Sequence, residues 1–141
     1  LLSVTNARSA TTSFTYDGLS RQITRTDAVG ATTTFGYDNR DNLTSVLDAK
    51  TQSVTSTFDE LSRLVQVVTP DNTITLGYDE NSNLTSANDN DSTISLAYDL
   101  ANRQTGATTG GTMSVLTTLT STYNERGLRS SLVDTLGGSQ T

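Results

Sequence analysis

An aromatic residue followed by an acidic or amide residue recurs along most of the chain. The pairs are Tyr16-Asp17, Tyr37-Asp38, Phe58-Asp59, Tyr78-Asp79, Tyr98-Asp99 and Tyr123-Asn124. The steps between them are 21, 21, 20, 20 and 25 residues. A near-constant period of this length is typical of repeat proteins, in which each small unit packs on its neighbours. The sequence therefore predicts an array of units rather than a globule with one central core.

Other positions repeat with the same period. The fifth residue after the aromatic alternates between two types, in the order Arg21, Asn42, Arg63, Asn83 and Arg103. The period predicts about six units in a single array spanning residues 1–141, and we expect this array to be a fragment of a larger protein. The predicted units are residues 11–30, 31–51, 52–72, 73–92, 93–115 and 116–134.

The residues before each aromatic alternate between two faces. Ile74, Leu76 and Tyr78 fall on one face. Thr33, Phe35 and Tyr37 repeat this pattern in an earlier unit. Alternation with period two predicts a half-buried strand. Turn-forming residues such as Asp17-Gly18 follow each aromatic, and a second strand such as residues 64–68 comes next.

A second turn closes each predicted unit. We expect these turns at residues 27–30, 48–50, 69–72, 88–91 and 108–111. Because every connection is short, neighbouring strands should be antiparallel. The predicted fold is all-β, with about twelve strands in repetitive antiparallel hairpins that form one continuous twisted sheet.

The composition suits a thin sheet. Only 33% of the residues are hydrophobic, there is no Trp, and threonine is common in runs such as residues 31–34 and 116–120. Threonine is stiff at χ1 and favours strands. A wall one sheet thick needs fewer large apolar residues than a globule of this length.

Three segments carry a family resemblance. Residues 16–21, 58–64 and 123–128 resemble the YD repeat, also called the RHS repeat, whose pattern runs Tyr-Asp-x-x-Gly-Arg-Leu-Thr. The resemblance covers roughly residues 11–134. The glycine of the pattern is kept only at Gly127 and is replaced elsewhere by Ser20, Asp41, Ser62, Ser82 and Asn102. The resemblance implies β-hairpins that spiral into the wall of a hollow shell.

The recurring aspartate and arginine allow two interpretations. In the first, Asp17 with Arg21 and its equivalents form a ladder of charged sites that binds a ligand. In the second, which we favour, aspartate caps the turn while Arg or Asn bonds a turn carbonyl or stacks on an aromatic ring. The repeat motif is therefore a structural one. Its members are Tyr16, Asp17, Arg21, Tyr37, Asp38, Asn42, Phe58, Asp59, Arg63, Tyr78, Asp79, Asn83, Tyr98, Asp99, Arg103, Tyr123 and Asn124.

Several kinds of chemistry are disfavoured by residue type. The chain has no His and no Cys, which excludes Ser-His-Asp and Cys-His catalysis and a His-based metal site within it. Lys50 falls in a predicted turn and is expected to be a solvated surface residue. The run from 88 to 92 fails the EF-hand pattern because Ile94 and Leu100 occupy the positions of its Gly and Glu. A loose calcium site there is the alternative to a polar hairpin loop.

The net charge and the apolar content bear on which partners the chain could have. The net charge of −6 and the lack of a basic patch argue against nucleic-acid binding, and no apolar run is long enough to span a membrane. We expect no enzyme activity, no cofactor and no metal. The sequons at Asn42, Asn83 and Asn90 allow N-glycosylation.

The resemblance implies a secreted or surface protein, of a family that is mostly bacterial. We therefore expect a passive extracellular scaffold, namely a shell wall that encloses or protects a cargo polypeptide such as a toxin domain. A fibre, filament or tube of self-assembled copies is the first alternative. The second is an adhesion surface that binds glycans through its tyrosines.

Overall fold

The computed structural model describes residues 2–7, 10–112, 114–135 and 139–140, and every regular element among them is a β-strand. The chain divides into two compact units, Leu1–Asn72 and Thr73–Thr141. This division falls between the third and fourth predicted repeats. The first unit contains β1 (Ser3–Thr5), β2 (Thr11–Tyr16), β3 (Gln22–Thr26), β4 (Thr32–Tyr37), β5 (Leu43–Leu47), β6 (Ser53–Phe58) and β7 (Leu64–Val68). The second contains β8 (Thr73–Tyr78), β9 (Leu84–Asn88), β10 (Ser92–Tyr98), β11 (Gln104–Gly111), β12 (Ser114–Tyr123), β13 (Arg129–Asp134) and β14 (Ser139–Gln140).

Within each unit every strand pairs antiparallel with the next one along the chain. The all-β prediction of repeated antiparallel hairpins is confirmed. The described residues form 14 strands rather than about twelve, because β1 and β14 lie outside the predicted repeats. In the same part of the chain no helix has the length and apolarity that a membrane crossing needs.

The turn predicted at residues 108–111 is wrong. These residues belong to β11, which stays paired with β10 as far as Gly111 opposite Ser92. Gly110 is buried, and a Cβ on Gly111 would collide with the carbonyl oxygen of Asp91. The two glycines therefore permit a close approach of backbones, a role that glycine also has inside strands.

The register separates two kinds of side chain onto opposite faces of the first unit. One face, here called the hydroxyl face, is rich in serine and threonine, although Leu47, Gln66 and Val68 also lie on it. Its members include Ser13, Thr15, Thr24, Thr26, Thr32, Thr34, Ser45, Ser53, Thr55 and Thr57. Some of these hydroxyls bond across strands, with 2.6 Å between the Oγ1 atoms of Thr15 and Thr24. Such pairs add a few tenths of a kcal/mol to about 1 kcal/mol each.

The opposite, apolar face carries the larger side chains. Phe35, Val46 and Val54 lie opposite one another on three successive strands. They are only half-buried, and no described hydrophobic side chain is fully buried. Each unit is therefore stabilised by contacts between adjacent hairpins rather than by a deep core, as expected of a repeat protein.

Candidate functional site

The candidate site is the loop that follows each aromatic residue. In the first loop Ser20 N donates to Asp17 O at 3.1 Å, and Asp17 N donates to Arg21 O at 3.0 Å. Five further loops have the same two bonds, opening at Asp38, Asp59, Asp79, Asp99 and Asn124. This pattern is a type I turn followed by one residue in the left-handed region, a common three-residue hairpin loop.

The left-handed residue occupies the position where the repeat pattern has glycine. Its φ is 66° at Ser20, 65° at Asp41, 60° at Ser62, 66° at Ser82, 58° at Asn102 and 77° at Gly127. Only glycine adopts such angles freely, because a Cβ crowds the following carbonyl oxygen. Five of these six loops therefore carry backbone strain that glycine relieves at position 127, and Thr51 at the other end of the hairpins is strained in the same way, with φ 64°.

A β-bulge follows each loop. Tyr37 pairs with Leu43 while Gly36 pairs with Ser45, so Thr44 is an extra residue in β5. The same irregularity occurs beside all six aromatic residues. A bulge of this kind increases the local twist and re-aims the side chains beside it.

The aspartate that opens each loop holds the loop through its carboxylate. In the first loop Asp17 Oδ1 accepts hydrogen bonds from Leu19 N at 2.9 Å and Arg21 N at 3.0 Å. The equivalent pair of bonds is made by Asp38, Asp59, Asp79, Asp99 and the amide oxygen of Asn124. Two loops at the other end of the hairpins, opened by Asp27 and Asp48, use the same contacts.

The second carboxylate oxygen bonds the alternating Arg or Asn. Asp17 Oδ2 accepts from Arg21 Nε at 2.7 Å, and Asp38 Oδ2 accepts from Asn42 Nδ2 at 2.9 Å. Arg63 and Arg103 repeat the arginine contact at 2.7 Å, and Asn83 repeats the amide contact at 2.9 Å. Both residue types therefore fill the same role inside the loop.

These hydrogen bonds lower the pKa of four loop carboxyls, those of Asp17, Asp38, Asp59 and Asp99. The backbone N–H of Arg21 is the main cause of the lowered pKa of Asp17, and that of Arg63 has the same effect on the pKa of Asp59. For Asp38 and Asp99 the largest contribution to the lowered pKa comes from the side chains of Asn42 and Arg103. Donors aimed at a carboxylate favour its charged form.

Arginine also reaches from one loop to the next. Arg21 Nη1 lies 2.8 Å from Asp38 O and 2.8 Å from Asp41 Oδ1, and its Cζ lies 4.9 Å from the centre of the Tyr37 ring. Arg103 sits 4.6 Å over the ring of Tyr123. Guanidinium stacked on an aromatic face is a favourable arrangement.

The tyrosine hydroxyls bond the preceding repeat. Tyr37 Oη donates to Gln22 O at 3.0 Å, and Tyr123 Oη donates to Gln104 O at 2.6 Å. In both cases the acceptor is the sixth residue after the aromatic of the preceding repeat. The other motif aromatics, Tyr16, Phe58, Tyr78 and Tyr98, occupy the equivalent strand ends.

The remaining sequence candidates lie elsewhere. Lys50 is exposed in a loop, and Asn90 is exposed in the three-residue connection between β9 and β10. Asp89 Oδ1 accepts from Asp91 N and from Ser92, so it caps this connection. No three metal-ligating side chains come together within the described ranges. The sequence interpretation missed Arg40, whose guanidinium reaches the neighbouring loop.

The family model named RHS Repeat matches residues 1–32, 21–53 and 37–74. Together these matches cover residues 1–74, which is just over half of the 141 residues. The chain belongs to the RHS-repeat family. The resemblance seen in the sequence is thereby confirmed, and the loops opened by Asp17, Asp38 and Asp59 lie within the matched residues. No curated protein matches the chain.

Chains of several solved structures are similar in fold to this chain. A crystal structure of TcdB2-TccC3-Cdc42 and a structure of the Photorhabdus luminescens Tc holotoxin pore each align over 89% of it with a TM-score of 0.50. Sequence identity is 16% in both, so the likeness concerns the fold. The chain spans only 9% of the length of either matched chain.

Proposed function

We propose that this RHS-repeat chain is a non-catalytic wall segment of a larger shell outside the cell. The observation that supports the proposal best is the fold it shares with chains of Tc toxin complexes, of which it spans 9%. A stretch of hairpins that spans so small a share of a longer chain corresponds in size to one segment of a wall. The six predicted repeats, from residues 11–30 to residues 116–134, would then be consecutive parts of that wall.

The loop chemistry supports a passive role. The carboxylates of five loops, opened by Asp17, Asp38, Asp59, Asp79 and Asp99, are engaged by backbone N–H groups and by an Arg or Asn of the same loop. A carboxyl with a lowered pKa is also a poor general acid near neutral pH. We infer that the seventeen motif residues hold the hairpin loops of the wall in place, and we assign no catalytic role to them.

The cargo is proposed to be a polypeptide, such as a toxin domain, enclosed by the complete shell. Limited proteolysis of the intact parent protein from its native source tests this. We expect peptides from the enclosed segment to appear only after the particle is opened with urea. Release of every segment from the native particle at one common rate contradicts enclosure. Exposed loop peptides from this chain, such as the one containing Lys50, serve as the accessible control.

A further inference from the structure

Two arginines from different loop positions reach the same kind of acceptor. Arg21 is the fourth residue after the aspartate that opens its loop, and its Nη1 lies 2.8 Å from Asp38 O. Arg40 is only the second residue after its aspartate, and its Nη1 lies 3.2 Å from Asp59 O. Both acceptors are the backbone carbonyl of the residue that opens the next loop. We call this guanidinium–carbonyl contact between adjacent loops the clasp.

The carbonyl oxygen that accepts the clasp also accepts a backbone hydrogen bond within its own loop. Asp38 O already accepts from Asp41 N at 3.3 Å, and Asp59 O accepts from Ser62 N at 3.0 Å. A carbonyl oxygen has two lone pairs, so the loop bond and the clasp coexist. The donor is charged, which makes the contact stronger than a bond between neutral groups.

Asparagine at the fourth position cannot make the clasp in this geometry. Asn42 Nδ2 is held 2.9 Å from Asp38 Oδ2, and its other contact is with Ser62 Oγ at 3.2 Å. Its side chain lacks the length that carries Arg21 to the next backbone. We infer that Arg40 replaces the arginine missing at position 42, so that the clasp is preserved where the Arg/Asn alternation breaks it.

The described part of the second unit has no clasp. Arg103, at the fourth position of its loop, bonds Asp99 and stacks on Tyr123 but makes no hydrogen bond to the carbonyl of Asn124. In an earlier loop of this unit Asn83 stands at the fourth position and Asn81 at the second, so neither position offers a guanidinium. Asn83 Nδ2 instead bonds Asn102 Oδ1 at 2.8 Å. Within the described part of the chain Asp99 O accepts the loop N–H of Asn102 and no guanidinium. Between these two loops an amide–amide hydrogen bond therefore stands where the clasp would be.

Hydrogen–deuterium exchange of the intact protein, read by mass spectrometry, tests the inference. We expect Arg40→Ala to speed exchange in the loop at residues 59–63 about three- to tenfold, the range of one ordinary hydrogen bond. The loop at residues 38–42 should keep its rate, because Arg21 still clasps it. Arg25→Ala is the matched control, because Arg25 is exposed and its side chain makes no hydrogen bond within the described residues.

Rescue distinguishes replacement from a general loss of charge. Asn42→Arg in the Arg40→Ala background should restore slow exchange at residues 59–63, since an arginine at 42 has the position of Arg21. Asn81→Arg should slow exchange at residues 99–103 by a similar factor. Equal exchange in Arg40→Ala and Arg25→Ala, or a folded double variant without rescue, overturns the inference. The outcome is independent of whether the parent protein encloses a cargo.

Discussion

The strained loop residues predict that one substitution has opposite effects at two sites. Ser20 lies in the left-handed region with φ 66°, whereas Ser13 is an exposed residue of β2. Neither hydroxyl has a hydrogen-bond partner among the described residues. Serine to glycine therefore removes little but a Cβ at both positions. The difference between the two variants isolates the backbone strain of the loop.

The magnitude follows from two opposing effects. A non-glycine residue in the left-handed region costs about 1–2 kcal/mol. Glycine costs about 0.5–1 kcal/mol in conformational freedom of the unfolded chain. Ser20→Gly should thus raise the free energy of unfolding by about 0.5–1 kcal/mol, and Ser13→Gly should lower it by about as much.

Urea denaturation followed by circular dichroism is the assay. With a denaturant slope of about 1.5 kcal/mol per molar, the midpoint should rise by about 0.5 M for Ser20→Gly and fall by about 0.5 M for Ser13→Gly. Asn102→Gly should raise the midpoint by less than Ser20→Gly does, because asparagine tolerates the left-handed region better than serine. A midpoint that falls equally in the Ser20 and Ser13 variants refutes the assignment of strain to the loops.

Three further predictions concern close approach, hydrogen bonding and pH, and each is measured by the urea midpoint. Gly111→Ala should destabilise by about 1–3 kcal/mol because its Cβ meets a backbone carbonyl, whereas Gly18→Ala, with open space around it, should be neutral or stabilise by up to about 1 kcal/mol. Equal effects of the two alanines would contradict the close approach. Phe58→Tyr should stabilise by about 0.5–1.5 kcal/mol, because its new hydroxyl would face Leu43 O as Tyr37 faces its own acceptor; a midpoint below that of the parent chain argues against this geometry. The pKa values of Asp17, Asp38, Asp59 and Asp99 are lowered in the folded chain, so the stabilisation from these four carboxylates should be complete above the unfolded pKa and disappear as pH falls through the folded ones. Asp17→Asn keeps the loop acceptor and should weaken this acid dependence, and an unchanged pH profile would contradict the assignment.

The hairpins were predictable because their signals are local. Alternation with period two marks strands such as β8, and an aspartate followed by small or polar residues marks the loops. Both signals involve residues only a few positions apart. The strand directions then follow from short connections alone.

Other features depend on contacts that no local pattern reveals. The pair Gly110-Gly111 resembles a turn in sequence, yet the structure uses it to bring β11 close to Asp91. Arg40 bonds a residue 19 positions away, and nothing in its neighbourhood distinguishes it from a solvated arginine. The bulges likewise arise from how the loop joins two strands, and no residue type in the sequence identifies the extra residue, such as Thr44, in advance.

Electron microscopy of the intact parent assembly, isolated from its native source, tests the proposed shell most directly. We expect closed hollow particles with walls one sheet thick and density for a separate polypeptide inside. Long uniform filaments, or particles that are empty in every preparation, would contradict the shell. Filaments would instead make these hairpins the repeating wall of a fibre.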